Sequence, residues 1–432
     1  MDSLKPAKRN PRIHSRKQVR QIADSIKRFG FTNPVLIDDD GGIVAGHGRV
    51  AAAKLLGLDV VPVVALGDLT AKERQAYALA DNKLALNAGW DQELLAVEFR
   101  ELIDAGFELE LTGFSLAEVD FTLDLASQNR PGKDDPVADQ IPTTPEHAVS
   151  RPGDLWRLGR HQLLCGDARD ASHLDRLMQG REVGLVFTDP PYNVPIDGHV
   201  SGLGRVRHRE FAMGVGEMAE EEFSRFLASA LANMAGHCRD GAILYVCMDW
   251  RHLQELSVAG RQSGLELKNL RVWNKTNGGM GSFYRSKHEL IFVFKHGAAP
   301  HVNSFGLGDT GRYRTNVWDY PGISSIGPGR ASEQAMHPTV KPVALVADAI
   351  RDCSRRGDSV LDPFAGSGTT LIAAQMTGRV AHLIEYDPAY CDTIIRRFEG
   401  YTGKEAVLAD GSETFEAVSA SRLSAPLSRS EP

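Results

Sequence analysis

Asp189-Pro190-Pro191-Tyr192 directly follows the apolar run Val183 to Phe187, so a carboxylate, two prolines and an aromatic ring leave one strand end together. Proline fixes φ, which holds the Pro190 carbonyl in place. A carboxylate and that carbonyl can accept both hydrogens of a planar exocyclic amine. This draws the nitrogen lone pair out of ring conjugation and leaves it nucleophilic. The face of Tyr192 suits a stacked heteroaromatic base, a contact worth about 1 to 3 kcal/mol.

A second string, Asp362-Pro363-Phe364-Ala365-Gly366-Ser367-Gly368-Thr369-Thr370, lies between the strand Ser359 to Leu361 and a helix. Its glycines let a ligand approach the backbone, and the helix start offers free N–H groups. No Gly-Lys-Ser/Thr ending follows, which argues against a phosphate loop. Glu385 closes the next strand, about 20 residues on, where an acidic residue is placed to take ribose hydroxyls. A nucleoside-containing cofactor is indicated, with NAD as the competitor.

The elements that must position these residues alternate. Strands at Val183 to Phe187, Ala242 to Met248, Leu290 to Phe294, Ser359 to Leu361 and Val380 to Ile384 are interleaved with helices near Met218 to His237, Pro342 to Cys353 and Thr369 to Thr377. That alternation predicts an α/β fold, a doubly wound and mostly parallel sheet, with ligands at the carboxyl ends of its strands. Ahead of it, a helix at Ser15 to Phe29, short strands at Pro34 to Ile37 and Val60 to Val64, and a helix at Arg49 to Leu56 predict a small α+β unit. Mostly helical sequence follows from Thr70 to Leu125. The Pro-rich, charged stretch 127–150 reads as a linker between a domain at 1–126 and one at 151–411, and the Ser/Ala-rich 412–432 reads as a disordered tail.

With 432 residues, 42% hydrophobic and 24% charged, the chain has apolar material for two or three domains. No apolar run approaches the roughly 18 residues of a membrane span, and the N-terminus lacks a signal-peptide core, so a soluble, cytoplasmic protein is expected. Five scattered cysteines without a C-x-x-C pair read as reduced thiols, and no metal site is indicated. The net charge of -7 conceals an uneven distribution: residues 1–60 carry eleven Lys/Arg against six Asp, and residues 61–150 six basic against seventeen acidic side chains. Residues 268–341 carry ten basic against four acidic, interleaved with Trp273, Tyr284, Trp318 and Tyr320. Basic side chains among aromatics suit a phosphate-tracking surface. Arg205, Arg207, Arg209, Lys275, Arg285, Arg312 and Arg314 are the candidate nucleic-acid contacts of such a surface.

Together with His337-Pro338-Thr339-Val340-Lys341-Pro342, these strings resemble the catalytic, cofactor and preceding-helix motifs of S-adenosylmethionine-dependent DNA amino-methyltransferases, in the permuted order of that family's β group. The resemblance spans about residues 151–410. It implies that Asp189, Pro190, Pro191 and Tyr192 hold and stack a flipped base. Asp362, Phe364, Gly366, Ser367 and Gly368 would line the S-adenosylmethionine pocket, and Glu385 would take its ribose. Asp167 and Ala168 would lie near the adenine, and Thr339 and Lys341 near the methionine end. The implied reaction is direct in-line transfer to an exocyclic amine in double-stranded DNA, adenine N6 ahead of cytosine N4. A homodimer is compatible with the family.

The segment from Asn10 to Val64, with Gly46-His47-Gly48-Arg49, resembles the ParB-like N-terminal domain. The family's box reads Gly-Glu-Arg-Arg, so nucleotide hydrolysis is in doubt here, while Arg49 at a helix start could meet a phosphate. A DNA-, nucleotide- or protein-binding accessory role is expected. Two other classes compete: a non-enzymatic partition-type DNA-binding protein, and an RNA or small-substrate methyltransferase on the same fold.

Overall fold

A computed structural model describes the chain except for residues 2, 8, 9, 129–136, 195–215, 277, 279–283, 306–313, 323–339 and 425–432. Two compact units divide at residues 133 and 134.

In the first unit, α1 (Arg16–Phe29) begins where Ser15 accepts the Gln18 N–H and ends at Gly30. Strands β1 (Val35–Ile37) and β2 (Ile43–Ala45) pair antiparallel around a turn held by Asp38, whose carboxylate accepts the Gly42 N–H at 2.6 Å. Helix α2 (His47–Leu55) follows, and β3 (Val63–Ala65) pairs parallel with β1. Val35, Ile43 and Val50 form the small core. Helix α3 (Ala71–Asn87) starts on a Thr70/Glu73 capping box and buries no residue. Helices α4 (Gln92–Asp104) and α5 (Leu116–Gln128) pack through Leu95, Phe99, Leu109 and Val119, joined by a 3-10 turn at Leu109–Thr112.

The second unit is built on β4 (Leu155–Leu158), β5 (His161–Cys165), α6 (Ala171–Met178), β6 (Val183–Thr188), α7 (Glu220–Gly236), β7 (Cys238–Met248), α8 (Leu253–Gln262), β8 (Glu266–Asn274), β9 (His288–Lys295) and β10 (Val317–Asp319). It continues with α9 (Val343–Cys353), β11 (Ser359–Asp362), α10 (Thr369–Thr377), β12 (Val380–Glu385), α11 (Pro388–Thr402), β13 (Ala406–Leu408) and α12 (Phe415–Ser424). The sheet order is β10-β8-β9-β7-β6-β11-β12-β5-β4-β13. Its centre, from β7 through β6, β11 and β12 to β5, is parallel, and antiparallel pairs flank it on both sides. The doubly wound α/β reading is therefore correct for the part that carries the motifs.

Period-two alternation divides the core between the two faces. In β7, Ile243, Tyr245 and Cys247 join α9 and α10 on one face, while Leu244, Val246 and Met248 join α7 and α8 on the other. Strand β6 is buried along its whole length, as a central parallel strand covered on both faces must be.

Two boundaries depart from the sequence reading. The second half of the expected linker belongs to the second unit: Val149 and Ser150 donate their N–H groups to the buried Asp392 at 2.6 and 2.9 Å, and Ala138 is buried. The expected tail contains α12, whose Phe415 and Val418 are buried, Phe415 edge-on against Trp156 at 5.4 Å. Its Arg422 pairs with Asp154. Residues 425–432 lie outside the described residues. All five cysteines are buried and free. Among the described residues no helix is long and apolar enough to cross a membrane.

Candidate active site

The catalytic and cofactor strings meet because β6 and β11 are parallel neighbours, with Val360 and Leu361 in register with Leu185 and Val186. Both strands deliver their carboxyl ends to the same edge. Thr188, the last residue of β6, donates its hydroxyl to Asp362 Oδ1 at 2.9 Å. The Thr370 hydroxyl donates to Oδ2 at 2.6 Å, and the Phe364 N–H to Oδ1 at 3.1 Å. Asp362 thus staples the strand bearing Asp189 to the glycine turn. Burial raises its carboxyl to about 6 despite those three donors.

Within the turn, Gly366 has φ 53° and Gly368 φ 82°, both left-handed. A Cβ on Gly366 would meet nothing within 4 Å, so open space adjoins the backbone there. Ser367 turns inward: its carbonyl accepts from Arg397 at 2.9 Å. Phe364 packs against Phe226 at 5.9 Å. Glu385 accepts the Gly366 N–H at 2.8 Å and the Asp387 N–H at 2.9 Å. Its backbone carbonyl accepts the Gly166 N–H, which brings Asp167 and Ala168 to the next strand end. Asp167 pairs with Arg169 at 2.6 Å.

Burial lifts the Glu385 carboxyl from 4.5 to about 7, against the two N–H groups it accepts. The folded chain therefore holds a proton that the unfolded chain releases, so folding stability should fall as pH rises through that interval. Glu385→Gln should flatten this slope by up to about 3 kcal/mol, measured by urea unfolding at about pH 5 and about pH 8. An unchanged slope would contradict the assignment.

Asp189 faces a tight charge cluster. Lys341 Nζ donates to its Oδ2 at 2.5 Å, and the Tyr192 hydroxyl donates to its Oδ1 at 2.6 Å. Lys341 also lies 3.0 Å from Glu289 Oε2, and Lys275 pairs with Glu289 Oε1. Burial pushes the Asp189 carboxyl up, Lys341 opposes it, and Glu289 adds to the rise. Burial would also raise Glu289, but Lys341 and Lys275 outweigh it and take that carboxyl down to about 2. Sequence reasoning assigned Lys341 to the methionine end of the cofactor; the structure places it on Asp189. Glu289 received no role from the sequence.

The candidate DNA contacts divide. Arg205, Arg207, Arg209 and Arg312 lie outside the described residues, as does Thr339. Arg314 is not a phosphate contact: it donates to Asp352 and Asp348 at 3.0 Å each and packs over Trp318 at 4.8 Å. Lys275 is committed to Glu289 and the face of Trp273. Arg285 donates to the Gly278 carbonyl at 3.0 Å.

In the first unit, Gly46, His47, Gly48 and Arg49 line a cleft of about 930 Å³ with Asn10, His14, Arg74 and Asn82. Arg49 Nη1 donates to the Pro34 carbonyl at 2.9 Å. His47 Nε2 accepts the Ala7 N–H at 3.3 Å, and burial and His14 both lower its pKa.

An acid-Pro-Pro-aromatic string at one strand end, stapled to an acid-rimmed glycine turn at the next, defines a cofactor-dependent group-transfer domain. The family model described as DNA methylase matches residues 183–396, and models of the ParB-methyltransferase HTH domain and the ParB N-terminal domain match 93–152 and 1–83. The chain belongs to this family of DNA methylases and carries a ParB-like N-terminal domain. It is 26% identical over 291 residues to the DNA adenine methyltransferase YhdJ of Escherichia coli K12, spanning 60% of this chain and 93% of that protein. Residues of the first unit are 53% identical over 75 residues to the E. coli K12 ParB-like nuclease domain-containing protein YnaK, 17% of this chain and 86% of that one. Among solved structures, the M1.HpyAVI-SAM complex is 20% identical, covering 55% of this chain and 98% of that one, with a TM-score of 0.39. The helix pair α4 and α5 falls in the HTH match, which sequence reasoning recorded only as helical. Ser115 followed three residues later by Glu118 forms a reciprocal cap that marks the start of α5, but it says nothing of how that helix pairs with α4.

Proposed function

We propose that the chain transfers a methyl group from S-adenosylmethionine to the N6 amine of adenine in duplex DNA. The observation that carries this is the Thr188–Asp362 hydrogen bond, which sets the amine-binding carboxylate and the cofactor turn on adjoining strand ends. The cofactor residues fit a cationic nucleoside better than a dinucleotide. Open space lies beside Gly366, and Glu385 offers acceptors to a ribose diol. The same side chain already accepts the Gly366 N–H, so that donor of the turn is not free for a pyrophosphate. This disfavours NAD.

Bound S-adenosylmethionine would supply an electrophilic sulfonium methyl group. Asp189 and the Pro190 carbonyl accept the amine hydrogens and keep the nitrogen lone pair aimed at that carbon. Tyr192 supplies the stacking face. Asp189 is the nearest acceptor for the proton the amine loses on methylation. The target atom is inaccessible within a duplex, so the base is extruded first. Adenine is favoured over cytosine by the Asp at position 189 and by the named activity of YhdJ. Mass analysis of nucleosides from plasmid DNA treated with the enzyme should find N6-methyladenine; N4-methylcytosine would reverse the choice.

The cleft of the first unit, with Arg49 at the start of α2, supports a second, accessory reading: capture of a phosphate-bearing ligand. The missing Glu and first Arg of the usual box argue for binding without hydrolysis.

A further inference from the structure

Both acceptor oxygens of Asp189 are already engaged, Oδ1 by the Tyr192 hydroxyl and Oδ2 by Lys341. Each oxygen keeps a further lone pair, so an incoming amine must crowd in beside one of these donors or displace it, and the donor that can move decides which oxygen it takes. Lys341 is 4% exposed and held by a second carboxylate, so moving it would strand a buried charge. The phenol is the movable partner, and its oxygen already lies 3.3 Å from Glu289 Oε2. We propose that Glu289 is a positioning residue of the transfer step: anchored by Lys275, it steers Lys341 onto one oxygen of Asp189 and takes over the Tyr192 hydroxyl when a flipped base claims the other. This rests on the methyl-transfer reading.

The fold gives Glu289 this place. It stands near the start of β9, directly opposite Trp273 of β8, and the ladder continues past β8 through the Lys275 N–H and the Lys287 carbonyl. Period two places Glu289 on the face that Ile291 and Val293 bury farther along. A carboxylate there is retained by two ammonium groups that both lie over the Trp273 ring, Lys275 at 4.5 Å and Lys341 at 5.9 Å. Two carboxylates and two ammoniums balance, which lets both acids stay ionised although they share Lys341 and the Tyr192 hydroxyl. The titratable groups whose charges act on Asp189 are Lys341, Glu289, Tyr192, Cys247 on β7 and Asp362 on β11.

Glu289 thus acts in two ways that substitution can separate. Its charge sets how tightly Lys341 is shared, and its oxygen rehouses the phenol. With the full chain, tritiated S-adenosylmethionine and plasmid DNA from a methylation-deficient host, single-turnover rates are measured against pH. Glu289→Gln should slow transfer by about 10- to 100-fold. It should also move the acid limb to lower pH, because Asp189 loses a neighbouring negative charge and gains undivided Lys341. Lys341→Met should move that limb to higher pH by about one unit or more. In a Tyr192→Phe background there is no hydroxyl to rehouse, so adding Glu289→Gln should cost less than it does alone.

The proposal is overturned if Glu289→Gln matches wild type in rate and profile, if both single variants shift the limb in the same direction, or if the Glu289→Gln penalty is equal with and without the Tyr192 hydroxyl. Should Glu289→Gln not fold, Glu289→Asp keeps the charge but withdraws the oxygen from the phenol. It should lose rate without a limb shift, and an unchanged rate overturns the proposal. Wild-type enzyme that labels no DNA overturns the methyl-transfer reading and this one with it, whereas active wild type beside an indifferent Glu289→Gln overturns this one alone.

Discussion

Asp189→Ala should lower methyl transfer to DNA by about a thousandfold or more while leaving S-adenosylmethionine binding within about threefold of wild type. Two losses add in the transfer step. The amine loses the acceptor that makes its lone pair available, and the base loses one of the two contacts that orient it toward the methyl carbon. Misorientation alone is costly, because in-line positioning can be worth about 7 to 11 kcal/mol. The fold should survive, since Lys341 remains paired with Glu289 at 3.0 Å and Tyr192 still has Glu289 as an acceptor. Cofactor binding should survive because the glycine turn is held by the hydrogen bonds of the Thr188 and Thr370 hydroxyls to Asp362, which do not involve the Asp189 side chain. Tritium incorporation into DNA and equilibrium dialysis with labelled cofactor check the two halves separately. A variant retaining a tenth of wild-type transfer would remove Asp189 from the chemistry.

How much of this site the sequence revealed depends on whether its parts are contiguous. Asp189 to Tyr192 and Asp362 to Thr370 each sit on a single strand end, so their residue types and the apolar runs before them were enough to place them. Lys341 reaches Asp189 across 152 positions, and Glu289 reaches Tyr192 across 97, so no local pattern announces either contact. Arg314 illustrates the converse. A basic residue among aromatics reads the same whether it faces a phosphate or a buried acid, and here Asp348 and Asp352, one helical turn apart on α9, take it. Helix α12 was missed because only Phe415 and Val418 supply an apolar face, and their burial depends on Trp156 in a strand far away in sequence. The central parallel strands were legible as continuous apolar runs. Strand β8, second from the edge and exposed through most of its first half, was not.

Asp362→Ala should do more structural damage than any other single substitution in the cofactor turn. The side chain is 4% exposed and accepts from Thr188, Phe364 and Thr370. Its removal leaves two hydroxyls and one backbone N–H without their acceptor in a water-poor site, at about 1 to 3 kcal/mol for each group left unsatisfied. The hydroxyls can rotate toward other acceptors and the N–H cannot, so a net loss of about 3 kcal/mol is expected. Asp362→Asn should lose far less. Its carbonyl can keep the Thr188 and Phe364 donors, and the Thr370 hydroxyl can turn to accept from the amide. Since burial already holds the native carboxyl at about 6, the neutral amide also avoids the desolvation of a charge. Because the same carboxylate fixes both the turn and the last residue of β6, the alanine variant should lose cofactor affinity and transfer rate together, and the asparagine variant should retain most of both. Urea unfolding with cofactor-binding titrations on the two variants separates these outcomes. Equal losses for alanine and asparagine would mean that charge, rather than the three accepted hydrogen bonds, is what Asp362 contributes.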